Sequence, residues 1–160
     1  MEVEFIEGLP LEETMIFEGE HSIQLSKDQK QELKNAGAIF LYLRDAETKE
    51  LVSETYYIKV DDMEKLSRDL QAEGSEEWKG KNAVYCYSNT TLTRYQRQGF
   101  GGMLKDYFLK QAKDKGYDFV IGHARRNGSI KLNLSSGAII IREYPNWDGS
   151  ETYDFYYRNL

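Results

Sequence analysis

Apolar residues along this chain switch between a two-residue and a helical period, and the switches mark out its elements. Val3 to Ile6 reads as a short first strand, while Ile16 to Leu25 follows neither period. Ser26 is a helix N-cap by residue type. Asp28 and Gln29 fall in the first turn, Leu33 supplies an apolar contact, and Asn35 to Gly37 ends the helix. Two runs rich in β-branched and aromatic residues follow, Ala38 to Arg44 and Leu51 to Val60, joined through Asp45 to Lys49 as a hairpin. From Asp61 to Gly80 the chain is charged, with Met63, Leu66 and Leu70 on one helical face, which predicts a helix and then a polar loop containing Trp78.

Ala83 to Leu92 returns to the strand period, placing Val84, Cys86 and Ser88 on one face and Tyr85, Tyr87 and Asn89 on the other. Residues 100 to 115 carry Leu104, Phe108 and Ala112 at helical spacing, flanked by Tyr107 and Gln111, with Gly116 as C-cap. Phe119 to Ala124 is a nearly continuous apolar strand, as expected where both faces are covered. A short helix is expected over residues 127 to 136. Ala138 to Tyr144 and Tyr153 to Arg158 then form a hairpin closed by Pro145 to Glu151, with Asp148-Gly149 as its turn dipeptide. The order predicts an α/β (α+β) fold: a mixed sheet with helices on both faces, one domain over residues 1–160, and a helical insert at about 61–80.

Composition narrows the partners more than the fold. A chain of 160 residues is long enough to bury a core without staples, and its single cysteine, Cys86, excludes an internal disulfide. Neither a signal peptide nor a long apolar span is visible, so a soluble, cytoplasmic protein away from membranes is expected, as a monomer or homodimer. The net charge of −6 disfavours nucleic acid as a partner and suits a cationic or amine ligand.

The most informative stretch is residues 91 to 104, Thr-Leu-Thr-Arg-Tyr-Gln-Arg-Gln-Gly-Phe-Gly-Gly-Met-Leu, where a glycine-rich turn feeds a strongly helical segment. The first N–H groups of a helix lack internal partners and carry partial positive charge, so a phosphate can sit on Gly99, Phe100, Gly101 and Gly102. A Walker loop is excluded because Met103 and Leu104, not Lys and Ser/Thr, follow Gly102. A dinucleotide fingerprint is excluded by the glycine spacing and by the late position in the chain. A plain tight turn before a helix is the remaining structural alternative.

Gln96-x-x-Gly99-x-Gly101, preceded by an apolar strand, resembles the acyl-CoA pyrophosphate loop of the GNAT superfamily of N-acetyltransferases, whose motif reads Gln/Arg-x-x-Gly-x-Gly/Ala. The resemblance covers residues 83 to 144, where strand, glycine turn, long helix, short strand, short helix and final strand follow in the family's order. It implies a mostly antiparallel sheet with a splayed strand pair holding acetyl-CoA as co-substrate, with no metal. Backbone groups around Asn89, Thr90 and Thr91 would bind pantetheine like an added strand, and Gln96, Arg97, Gln98, Gly99, Phe100, Gly101 and Gly102 would hold the pyrophosphate. Asn127 matches an asparagine that contacts the pantetheine arm in such proteins, Gly137-Ala138 a pair that follows their final helix, and Asn146 to Gly149 the terminal hairpin of one subgroup. Two features depart from the pattern. Leu134, beside Asn133, stands where many relatives carry an acidic tyrosine, and residues 83 to 92 hold no carboxylate base.

Candidate proton chemistry therefore falls to other residues. His123, at the end of the short strand, has an ordinary pKa suited to taking a proton from an ammonium, and Tyr87 can face the acceptor. Tyr144 and Glu54 are weaker candidates, and Cys86 is either a nucleophile or inert core. Arg94 and Arg97 can screen phosphates or stay solvated, Asn127 can cap the following helix, and the acidic residues of 61–80 can be a solvated face. The reading is acetyl transfer from acetyl-CoA to a primary amine by direct attack. Its alternatives are a non-catalytic acyl-CoA-binding or protein-interaction module and a nucleotide-binding regulator.

Overall fold

The computed structural model describes residues 1–18, 25–148 and 151–160. Strands β1 (Val3–Glu7), β2 (Ile39–Asp45), β3 (Leu51–Lys59), β4 (Ala83–Thr91), β5 (Phe119–Arg125), β6 (Ile139–Asp148) and β7 (Glu151–Asn159) form one sheet in the order β1-β2-β3-β4-β5-β7-β6. Every junction is antiparallel except β4–β5, which is parallel and is crossed by helix α3 (Phe100–Asp114). Helices α1 (Leu11–Thr14), α2 (Lys27–Asn35) and α4 (Ile130–Ser135) complete the α-helical set among the described residues.

Local chemistry explains the better-formed elements. Ser26 closes a capping box with Gln29: its hydroxyl accepts from the Gln29 N–H while the Gln29 side chain accepts from the Ser26 N–H. β3 is buried along nearly its whole length because both sheet faces are covered. On one face Phe17, Leu33, Tyr42, Tyr56, Tyr85, Ile121 and Phe155 share a core; on the other, Tyr57, Val84, Cys86, Val120 and Tyr156 pack with Leu104, Phe108 and Ala112 of α3.

Several expectations are corrected. The segment 61–80 is not a helix but three short 3₁₀ turns, Val60–Lys65, Arg68–Leu70 and Ser75–Trp78. Met63, Leu66 and Leu70 are buried as the pattern required: Met63 and Leu66, three apart, suit a 3₁₀ turn as well as an α-helix, and Leu70 lies in the next turn. Leu66 and Gln71 are extended and Gly74 is left-handed, which breaks any longer helical run. The final hairpin is longer than expected, β6 reaching Asp148 and β7 starting at Glu151, while Gly149 of the expected turn lies outside the described residues. The short helix starts at Ile130 rather than at 127. Of the unassigned stretch 16–25, residues 19–24 also lie outside the described residues, and α1 together with the 3₁₀ turn Met15–Phe17 was not foreseen.

Glu54, a weaker candidate for proton transfer, is instead structural. Both its oxygens accept from Lys30 Nζ at 3.0 Å, with the two side chains 0% and 1% exposed. Burial pushes the carboxyl upward and Lys30 opposes that shift. Breaking such a pair leaves one buried charge uncompensated, so Lys30→Met is expected to cost about 3–5 kcal/mol of unfolding free energy. Lys30→Met/Glu54→Leu should recover most of that loss in urea titration; a single variant within about 1 kcal/mol of wild type, the value of an exposed pair, would contradict the assignment.

Candidate active site

The sheet opens between β4 and β5. Their parallel pairing runs from Ala83 and Phe119 to Cys86 and Gly122 and then stops, although β4 continues to Thr91 and β5 to Arg125. The separation begins where β4 gains a residue: Tyr57 pairs with Cys86 and Tyr56 with Ser88, leaving Tyr87 as a β-bulge. The bulge corrects the predicted alternation. Asn89 Nδ2 lies 3.7 Å from Cys86 Sγ, so Asn89 shares the Cys86 face, while Ser88 lies 2.8 Å from Thr90 across the opposite face and contacts Tyr56. A cavity of about 340 Å³ fills the opening. Cys86, Asn89, Ala124, Ser129, Asn133 and Tyr156 line it from the α3–α4 side, and Leu70, Tyr85, Tyr87, His123 and Trp147 from the other, so it reaches through the sheet.

His123 is the ring at the centre of the second side. It stacks between Trp147 (centroids 4.3 Å apart) and Phe155 (4.6 Å), with Tyr144 edge-on at 5.0 Å. Its Nδ1 shares a 2.7 Å hydrogen bond with the Tyr85 hydroxyl, and its buried Nε2 has no hydrogen-bond partner. Burial, with Arg142 adding repulsion, lowers its pKa to about 3, against a weak opposing contact from the Glu73 backbone. The imidazole is therefore neutral at physiological pH. Tyr87, by contrast, donates its hydroxyl proton to the Leu70 carbonyl, tying the bulge to the insert. Arg142 pairs with Glu77 at 2.8 Å and donates to the Tyr144 hydroxyl oxygen at 3.2 Å, fixing β6 to the same insert. Asp69, Leu70, Gln71 and Ala72 thus roof the cavity.

The glycine turn lies at the start of α3, on the side of Cys86 and Asn89. Gly99 caps the helix at φ 84° with no side-chain acceptor, and Arg97 is also left-handed at φ 62°. The turn delivers the chain into α3, whose unpaired first N–H groups and dipole suit an anion. A Cβ on Gly101 would stand 3.2 Å from Thr91 Oγ1, so the bare glycine lets α3 start directly against β4. The Gln96 amide donates to the Thr91 carbonyl at 3.0 Å and Gln98 to the Arg94 carbonyl at 3.3 Å, holding the turn's shape. Phe100 packs edge-on against Tyr95, and Arg97 is exposed with no ion pair among the described residues. Arg94 pairs with Glu50 and lies over Tyr95.

Of the predicted residues, Tyr87, Asn89 and His123 line the cavity. Asn89 lines the cavity; Thr90 is buried, its carbonyl accepting from Ser53, and Thr91 Oγ1 meets Ser53 Oγ at 2.9 Å. Asn127 is exposed, does not line the cavity and does not cap α4, whose N-cap is Ser129. Asn133 takes the inward position instead. It is 1% exposed and lines the cavity; its Nδ2 donates to the Ser129 carbonyl at 2.9 Å and its Oδ1 is unpartnered. Leu134, next to it, points outward. Two buried residues were not foreseen: Tyr156, which lines the cavity, and behind it Lys105, whose Nζ lies 5.5 Å from the Tyr156 ring centroid. Lys105 has a sequence signal: Leu109 and Ala112, four and seven positions on, put it on the buried face of α3.

No protein-family model and no curated protein sequence matches this chain. Solved structures do. The ribosomal-protein-S18-alanine N-acetyltransferase from Escherichia coli superposes with a TM-score of 0.75 at 14% identity, over 99% of this chain and 94% of that one. Arabidopsis thaliana NAA60 in complex with acetyl-CoA gives 0.74 at 18% identity, over 99% of each chain. An acetyltransferase of the GNAT family from Streptococcus pneumoniae gives 0.68 at 11% identity, over 99% of this chain and 100% of that one. With its bulged fourth strand, parallel β4–β5 pair and intervening opening, this chain has the fold of the GNAT acetyltransferases.

Proposed function

We propose that the protein transfers an acetyl group from acetyl-CoA to a primary amine. The observation that carries this reading is the opening between β4 and β5, lined from both sheet faces, from which β4 continues to Thr91 beside the glycine turn that starts α3. The cofactor's pyrophosphate sits on the N–H groups of Gly99 to Gly102, with Arg97 beside it as counter-charge. Its pantetheine arm runs along Asn89, Thr90 and Thr91 of β4, where β5 no longer pairs. Asn133 Oδ1, buried without a donor, accepts from a pantetheine amide in place of Asn127; an unpaired buried carbonyl is costly and its satisfaction favours binding. The acetyl group then lies at the Tyr87 bulge, where backbone N–H groups freed from pairing polarise its carbonyl.

The amine enters from the His123 side, beneath the roof of Asp69 to Ala72. Position does most of the catalysis, since a neutral amine attacks a thioester readily once both are held in line. His123 offers a neutral imidazole but holds a proton weakly, so it passes the amine's proton onward to water rather than storing it. Tyr87 has its proton committed to Leu70 and offers only an oxygen lone pair, which orients the amine. This weak proton chemistry favours a second reading, a CoA-binding module without turnover.

Calorimetry and thiol release separate these. Acetyl-CoA is expected to bind, and Asn133→Ala to weaken it about five- to tenfold, the value of one hydrogen bond. Release of free thiol with an amine and peptide panel supports transfer; binding without release supports the module, and no binding at millimolar cofactor (a roughly 4 kcal/mol threshold) removes both.

The depressed His123 predicts an acid-side instability. Folding favours its neutral form, so its contribution is complete above the unfolded pKa of about 6.5 and is lost as pH falls through the folded value of about 3. Between those limits wild type should lose stability at up to about 1.4 kcal/mol per pH unit from this group. In denaturant unfolding at several pH values His123→Phe should show a flatter profile; identical slopes would contradict the burial.

A further inference from the structure

Gly122 interrupts the apolar run of β5, and its backbone is not left-handed, so it serves a close approach rather than an unusual conformation. A Cβ at Gly122 would stand 2.7 Å from the Tyr156 hydroxyl oxygen and 2.9 Å from the ring carbon that bears it, nearer than a side-chain carbon can sit. Tyr156 is the residue opposite Gly122 on β7, and its ring end occupies the space that the glycine leaves. Gly122 is also the last residue of β5 paired with β4, opposite Cys86. The hydroxyl therefore stands where the two strands part, at the inner end of the cavity on its α3–α4 side.

The proton of that hydroxyl has no strong acceptor. Tyr156 is 2% exposed, and among the described residues its side-chain hydrogen-bond contact is the Cys86 thiol. A thiol sulfur accepts only weakly, whereas a buried phenol ordinarily finds a good partner because an unmet donor is costly. The Lys105 amine, 5.5 Å from the Tyr156 ring centroid, makes no hydrogen bond and so does not take this proton. Burial raises the Tyr156 pKa well above the ordinary tyrosine value, which keeps the group a hydroxyl and a donor.

Acetyl transfer brings a better acceptor to this place. The pantetheine arm follows β4 from Thr91 toward the Tyr87 bulge on the α3–α4 side, while the amine comes from the His123 side. The cofactor sulfur precedes the acetyl carbon along that arm and so lies on the Tyr156 side of it. We propose that Tyr156 holds the leaving group, its hydroxyl donating a hydrogen bond to the cofactor sulfur that strengthens as the sulfur becomes a thiolate. This rests on the acetyl-CoA reading above and keeps its direct attack. The nitrogen–carbon bond forms, the carbon–sulfur bond breaks with its electron pair going to sulfur, the amine's proton leaves through His123 to water, and Tyr156 keeps its own. A thioester sulfur accepts weakly and a thiolate strongly, so the donor favours the transition state over the bound substrate.

CoA itself tests this role before any amine is known. Calorimetry compares CoA with desulfo-CoA, which lacks the thiol, at about pH 7 and about pH 9, on either side of an ordinary thiol pKa of about 8.5. A hydrogen bond to the thiolate draws the bound thiol toward ionisation. In wild type the affinity of CoA relative to desulfo-CoA should therefore rise about tenfold over that interval, the value of a hydrogen bond to a charged group. Tyr156→Phe should flatten the ratio while binding desulfo-CoA as wild type does, which shows the variant folded. With any amine that is turned over, Tyr156→Phe should also lower kcat about ten- to hundredfold and leave the KM for acetyl-CoA unchanged. A flat ratio in wild type, an equally steep one in Tyr156→Phe, or an unchanged kcat overturns the role of Tyr156 and leaves the cofactor reading intact. Failure of both CoA and desulfo-CoA to bind wild type overturns the two together.

Discussion

The parallel pairing of β4 with β5 ends at Cys86 and Gly122, and the site depends on that early ending. Backbone groups within a sheet are normally satisfied by the neighbouring strand, so two strands that part inside a sheet leave polar groups facing each other across a gap. Here the gap is held open from both sides. β3 remains paired to β4 as far as Thr91, and β7 remains paired to β5 as far as Arg125, so neither strand can swing across to close it. The single extra residue at Tyr87 starts the divergence, and the insert fixes it by accepting the Tyr87 hydroxyl on the Leu70 carbonyl.

Around this opening the two faces of the sheet divide the labour. The α3 side is small and polar at the cavity, with Asn89, Ser129 and Asn133, and leads to the glycine turn. The other side is aromatic, with Tyr85, Tyr87, His123 and Trp147, and is roofed by the 3₁₀ turns. Such a division suits a flexible polar cofactor arm entering from one side and a partly apolar acceptor from the other. Burial lowers the pKa of both His123 and Lys105, because each exchanges water for aromatic neighbours.

Much of the fold was legible because it rests on local signals: the Ser26 cap, the apolar stripe of α3, and the near-continuous apolar run of β5. The glycine turn was legible for the same reason, since Gly99 and Gly101 are needed for a left-handed residue and a close approach. What escaped depends on contacts distant in sequence. A bulge adds one residue without breaking the strand period before it, so the faces of Ser88 and Asn89 could be assigned only with β3 in place. Met63 and Leu66, three apart, fit a 3₁₀ turn and a helix alike, and Leu70 falls in a separate turn. Asn127 and Asn133 differ in placement: α4 begins three residues later than the pattern suggested, leaving Asn127 exposed ahead of the helix and Asn133 buried within it. Glu54 on β3 and Lys30 on α2 become a pair only when the helix docks.

The claim that the β4–β5 opening is a cofactor channel is tested most directly by a crystal structure of the complex with acetyl-CoA. The pantetheine arm is expected between β4 and β5 beyond Cys86 and Gly122, one of its amides donating to Asn133 Oδ1, with the pyrophosphate on the N–H groups of Gly99 to Gly102. Acetyl-CoA bound elsewhere on the protein, with the opening unfilled, would contradict it.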